Sequence, residues 1–159
     1  MAKGSFALNI RKFAQRAKEN ADEVVRRAVI EIGDSLVLRT PVGNPKHWDA
    51  DFKEAALKLG WYGEGYTGGR LRANWQLQAE SPATGVLDEI DPTGEPTRAK
   101  FNTLAASMQA GGLIYYSNNL PYALRIEDGY SKRAPEGMVA VTRDEFRDYV
   151  RKAIRELPK

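Results

Sequence analysis

The chain has 159 residues and a formal net charge of +3, with 42% hydrophobic and 28% charged residues, which is ordinary for one soluble domain able to bury its own core. It has no cysteine and a single histidine, which removes disulfides, thiolate nucleophiles and Cys-based zinc sites and leaves almost nothing for a His-dependent triad or a His-ligated metal. No run of apolar residues is long enough to cross a bilayer, and the opening Met1-Ala2-Lys3-Gly4-Ser5 leads into a charged pattern without the apolar stretch of a signal peptide. Bases and acids are interleaved in every quarter of the chain. That pattern suits solvated surfaces and protein contacts better than a concentrated nucleic-acid face.

In chain order, Phe6, Ile10, Phe13, Ala17, Ala21, Val24, Ala28 and Ile32 recur at spacings of three and four and predict a long amphipathic helix. Pro41 ends it. An unbroken helix from Ser5 to Arg39 would be about 50 Å long, against a radius of gyration of about 15 Å for a domain of this size. The helix is therefore either broken, with Asn20-Ala21-Asp22-Glu23 as an internal cap, or it overhangs the body as an arm. Gly33 is a further weak point. Residues 41–70 are rich in glycine, proline and aromatics. They predict an inserted loop at about 44–66 with one short helix, Ala50 to Leu59, flanked by Trp48, Trp61, Tyr62 and Tyr66.

Alternation over Leu71, Ala73, Trp75, Leu77 and Ala79 predicts a strand. An acidic, turn-rich stretch follows, then a helix over Thr97 to Gln109 stopped by Gly111-Gly112. A second strand is expected at Leu113 to Ser117, a short helix or turn at Tyr122 to Ile126, and a third strand at Met138 to Thr142. Thr142-Arg143-Asp144-Glu145 matches a capping box for a last helix that buries Phe146, Val150 and Ile154. The sum is one α+β domain over 1–159: a long N-terminal helix, a small antiparallel sheet, and a C-terminal helix packed on the sheet.

The chemistry candidates are few. Gly63-Glu64-Gly65-Tyr66-Thr67-Gly68 is a literal G-x-G-x-x-G, but it lacks the preceding strand and following helix that phosphate binding requires, so it reads as a loop. His47 is a lone imidazole in a loop. Asp88, Glu89 and Asp91 do not have calcium-loop spacing and read as a solvated acidic turn. Arg11, Lys12, Arg16 and Lys18 could touch phosphate without reading sequence. Arg70, Arg72 and Asn74 would line one face of the first strand as fixed donors, suited to carboxylates across an interface. No metal, cofactor or catalytic constellation is expected.

Two ordered sets of residues carry a resemblance. Thr40-Pro41-Val42-Gly43 is followed by Thr67-Gly68-Gly69-Arg70-Leu71-Arg72-Ala73-Asn74-Trp75. Further on come Asn118-x-x-Pro121-Tyr122-Ala123, Ile126-Glu127-x-Gly129-x-Ser131 and Pro135-x-Gly137-Met138-Val139. Together they resemble the phage neck, or tail-completion, proteins that join tail to head in long-tailed bacteriophages. Residues 44–66 split the first set, and Asp128 stands where an aromatic is commoner. The resemblance implies a non-enzymatic α+β subunit of the virion, at the head–tail junction, made in the host cytoplasm and assembled as a ring, sixfold by analogy. Its partners would be copies of itself, the head connector and the tail terminator or tube. Genomic DNA would pass through the lumen unread, and no membrane is involved. Arg70, Arg72, Asn74, Trp48, Trp61, Tyr62, Tyr122 and Glu127 are the expected interface residues, with Glu127 pairing with an arginine. A tail terminator or minor tail protein, a small basic DNA-binding or packaging accessory, and a tail-associated hydrolase are the alternatives.

Overall fold

A computed structural model describes residues 3–158, without the side chains of residues 3–5 and His47. Helix α1 spans Lys3–Arg39, 37 residues without a break, and is about 55 Å long. Asp22 does not cap a second helix. Its carboxylate accepts the Ala110 amide at 2.8 Å, so it fastens the helix to the body from the side. The rest of the chain collects around the C-terminal half of α1. From Phe6 through Ala21 nearly every residue is exposed, whereas Ala28, Val29, Leu36 and Val37 are buried. The helix overhangs, as one of the two expectations had it.

The 3-10 turn Pro45–His47 and α2, Ala50–Lys58, follow, with the Asp49 carboxylate capping α2 through the Phe52 amide. The stretch expected as one strand from Leu71 divides in two. Arg70–Ala73 is a helical turn, α3, and only Gln76–Ala79 is a strand, β1. Gly69, at φ +95°, makes the turn possible. Its carbonyl accepts both the Ala73 and Asp91 amides, and a side chain there would run into the Asp91 backbone. Helix α4, Glu95–Ala105, leads to β2, Ile114–Ser117. The two strands pair antiparallel, Gln76 opposite Ser117 and Ala79 opposite Ile114. Among the described residues they are the whole sheet. The class is therefore α+β and mostly helical.

The expected third strand is α6, Val139–Asp144, after α5, Ala123–Glu127. The Glu127 carboxylate accepts the amides of Met138, Val139 and Ala140 at 2.7, 2.9 and 2.8 Å. These are donors a helix start leaves unpaired, so Glu127 is an N-terminal cap supplied from a distance. Thr142 lies inside α6. Its hydroxyl meets the Met138 carbonyl and Ser35 Oγ, each at 2.8 Å, and it does not cap the last helix. That helix, α7, Phe146–Arg155, has α1 as its main partner. Lys152–Glu31 and Arg27–Glu156 ion pairs fix it there, at 2.5 and 3.1 Å. The side facing α1 carries Ala153, 1% exposed, while Phe146 and Ile154 stay 47% and 54% exposed. The expected burial of those two is corrected: the side of α7 that carries Ala153 turns inward instead.

The core joins Val29, Leu36 and Val37 of α1 to Leu71, Trp75 and Leu77, to Phe101 and Ala105 of α4, and to Met138. Gly33 is the point of closest approach. A Cβ there would lie 2.5 Å from Phe101 Cδ2 and 3.1 Å from the Tyr116 hydroxyl. Gly33→Ala should therefore lower stability in urea titration, because the overpacking cost of about 1–3 kcal/mol exceeds the ~1 kcal/mol gain in helix propensity. A stabilised variant would show that Phe101 can step aside.

Candidate functional site

The motif residues converge where α1 ends. The Thr40 hydroxyl donates to the Leu36 carbonyl at 2.6 Å and accepts the Trp75 indole N–H at 2.7 Å. The Thr40 carbonyl accepts Arg72 Nη2 at 2.9 Å, and the Pro92 carbonyl accepts Arg72 Nη1 at 2.7 Å. Arg72 therefore ties the end of α1 to the acidic loop from inside the molecule, not as a free donor on a strand face. Burial pulls its pKa down against the attraction of Asp91. Asn74, 0% exposed, bonds the Arg70 and Leu87 carbonyls and the Leu87 amide. It offers nothing to a partner, and its expected interface role is corrected. Glu127 is likewise committed, to backbone amides and not to an arginine.

Asp91 was grouped with Asp88 and Glu89 as a solvated acid. It is 2% exposed. Burial opposes its ionisation, but Thr97, through hydroxyl and amide, the Gly94 amide and the Thr93 hydroxyl outweigh burial and hold the carboxyl below its usual range. The Asp91-Pro92-Thr93-Gly94 turn signature was the available clue.

The loop aromatics form a chain of ring contacts. Trp48 meets Phe52 and Tyr62 edge-on at 5.0 and 5.3 Å, Phe52 meets Trp61 at 6.2 Å, and Trp61 meets Tyr122 at 5.5 Å. Trp48, Trp61, Tyr62 and Tyr122 are each half-buried, and the Trp61–Tyr122 contact ties the inserted segment to the start of α5. Burial raises the Tyr122 phenol pKa, with Tyr66 beside it adding to the shift. Between this cluster and the acidic loop lies a cleft of about 350 Å³, lined by Trp61, Tyr62, Tyr66, Arg70, Asp88, Glu89 and Ile90. Arg70 Nη1 is held by the Gly60 carbonyl at 3.2 Å. Of the expected residues, Arg70, Trp61 and Tyr62 thus share one concavity, while Trp48 and Tyr122 back it. Its acidic lip, Asp88 and Glu89, was missed because a run of exposed acids in a turn carries no pocket signal.

Among the described residues no group of three His, Asp or Glu side chains could hold a metal ion, and no helix is long and apolar enough to cross a membrane. The Gly63–Gly68 segment is loop, followed by a helical turn. No family model matches the chain, and neither a search of curated proteins nor one of solved structures returns a match. The likeness to neck proteins rests on the motif residues alone.

Two outcomes test these assignments. Thr40→Val keeps the shape and strands the Trp75 N–H, so the urea midpoint should fall by an equivalent of about 1–3 kcal/mol. An unchanged midpoint would mean the indole has another acceptor. Because the folded Asp91 pKa is depressed, its stabilisation is full above the unfolded aspartate value of about 3.9 and is lost as pH falls through the lower folded value. Stability should decline from about pH 5 downward, and Asp91→Asn should flatten that part of the profile while lowering stability at pH 7.

Proposed function

We propose that the chain is a structural subunit of a bacteriophage neck, a tail-completion protein that joins tail to head as part of a ring. The observation that carries this reading is the division of α1. One half packs into the core of the domain. The other, with Phe6 at 69% and Phe13 at 72% exposure, is packed against nothing among the described residues. A subunit built for assembly leaves such a surface for a neighbour, and an apolar stripe on an isolated domain is otherwise a liability. The ordered motif residues support the same reading, because they hold the end of α1, the inserted loop and α6 in one frame. Ring subunits make heterologous contacts, one patch meeting a different patch on the next copy. The half-exposed aromatics and the arm are two such patches.

Arg70 and Arg72 do not carry this role equally. Reversing Arg72 would break its bonds to Thr40 and Pro92 and so perturb the fold. The test is antibody–gold labelling of intact and disrupted particles of the phage that encodes this chain. Gold should sit at the head–tail junction. Gold elsewhere on the particle would move the chain to another structural component, such as a minor tail protein, and particles without label would refute a virion role.

One observation favours a second reading. Arg11, Lys12, Arg16 and Lys18 stand exposed on the arm and form no ion pairs among the described residues, which suits a small DNA-binding accessory. That reading requires micromolar binding to duplex DNA with a steep salt slope in anisotropy titrations at two salt concentrations. The neck reading expects neither.

A further inference from the structure

Although both signs occur in every quarter of the chain, two segments are of a single sign. Residues 3–18 hold five bases and no acid; residues 73–97 hold five acids and no base. These segments lie at opposite ends of α1. The arm leaves the body near Asp22, where the carboxylate holds Ala110. The acidic segment closes over the other end, where Gly94 lies against Val37 and Arg72 bridges Thr40 to Pro92. Both ends are apolar as well as charged. Phe6, Ile10 and Phe13 are exposed on the arm, and Val86 and Ile90 on the acidic loop. The bases near that loop are largely occupied: Arg98 holds Asp34 through two bonds of 2.7 Å, Lys100 holds Glu89, and Arg70 is turned to the Gly60 carbonyl. Asp88 and Glu95 form no ion pair among the described residues.

We infer that the arm of one copy docks on the acidic end of the next, with Phe13 entering the cleft between Trp61, Tyr66 and Ile90 and with Arg11 and Arg16 facing Asp88, which holds no ion pair among the described residues, and Glu89, whose bond to Lys100 is solvent-exposed and open to exchange. The cleft has the walls an aromatic anchor needs and a lip of the charge the arm needs. Arm-to-arm pairing would set five bases against five and is disfavoured by the same charges. The contact is heterologous, so it continues from copy to copy and closes into a ring where the rotation allows. The inference takes from the proposed function only that copies of this chain associate, and it adds which surfaces meet.

The lack of cysteine makes the test direct. Ala14→Cys and Ile90→Cys are prepared as separate full-length proteins, mixed over a concentration series and oxidised. The mixed disulfide, which can only join two copies, should exceed both homodimers. Phe13→Asp in the Ala14→Cys protein should remove it, with the far-UV spectrum unchanged because Phe13 touches no core. Asp88→Lys with Glu89→Lys should lower its yield about tenfold, and Arg11→Glu with Arg16→Glu in the other protein should restore it. A predominance of Ala14→Cys homodimers would overturn the docking in favour of arm-to-arm pairing. Absence of the mixed product at every concentration would overturn it outright, and protection of the arm by duplex DNA alone would assign the arm to nucleic acid. Virion gold at the junction without the mixed disulfide would refute this contact and leave the neck assignment standing. The mixed disulfide from a chain that labels no virion would do the reverse.

Discussion

The hydroxyl of Thr40 joins the two parts of the molecule that matter most. It closes the last turn of α1 onto Leu36 and receives the Trp75 indole, while the carbonyl of the same residue receives Arg72. One residue thus binds the end of the long helix to the α3–β1 segment, and through Arg72 to the loop around Pro92. In the low-dielectric surroundings of a buried site, such bonds are stronger than on a surface, and a lost partner is correspondingly costly. Asp91 repeats the device a few residues away. It gathers Thr93, Gly94 and Thr97 and so starts α4 where Phe101 can reach Gly33. The cleft follows from both: Arg70 at the start of α3 lines it, and its acidic lip is the loop that Arg72 and Asp91 hold down.

What the sequence made legible was governed by local pattern. Helix α2 and β2 fall within a residue or so of their expected bounds, because an Asp49 cap and a β-branched, aromatic run are short-range signals. The single helix of Lys3–Arg39 was legible as an alternative, since the stripe of Phe6 to Ile32 never loses its period. The failures share a cause. Leu71 to Trp75 alternates like a strand, yet Asn74 is drawn inward by the Leu87 backbone and Gly69 bends the chain into a turn. Met138 to Thr142 has the β-branched content of a strand, yet a carboxylate eleven residues earlier caps it as a helix. Both outcomes depend on hydrogen bonds between distant segments, which no window of sequence contains.

The candidate site was half legible for the same reason. Aromatic residues between 44 and 66 marked the right region, but their ring-to-ring contacts, and the link from Trp61 to Tyr122, belong to tertiary packing. From sequence, the motif residues Arg72 and Asn74 read as surface donors and Glu127 as a surface carboxylate. The structure uses them as internal fasteners, as buried polar groups generally are. A pattern of polar residues can thus mark a scaffold.

The continuity of α1 has one more consequence. A free peptide of the arm's length would be a marginal helix in water, because its first turn must be ordered before any bond rewards it. Here that first turn already exists, since the packed half of α1 acts as a permanent seed and the arm has only to grow from it. The exposed surface it carries is therefore held in helical form in the free chain. A partner that bound the arm would lose little to ordering it, so a small contact area would be enough to hold it.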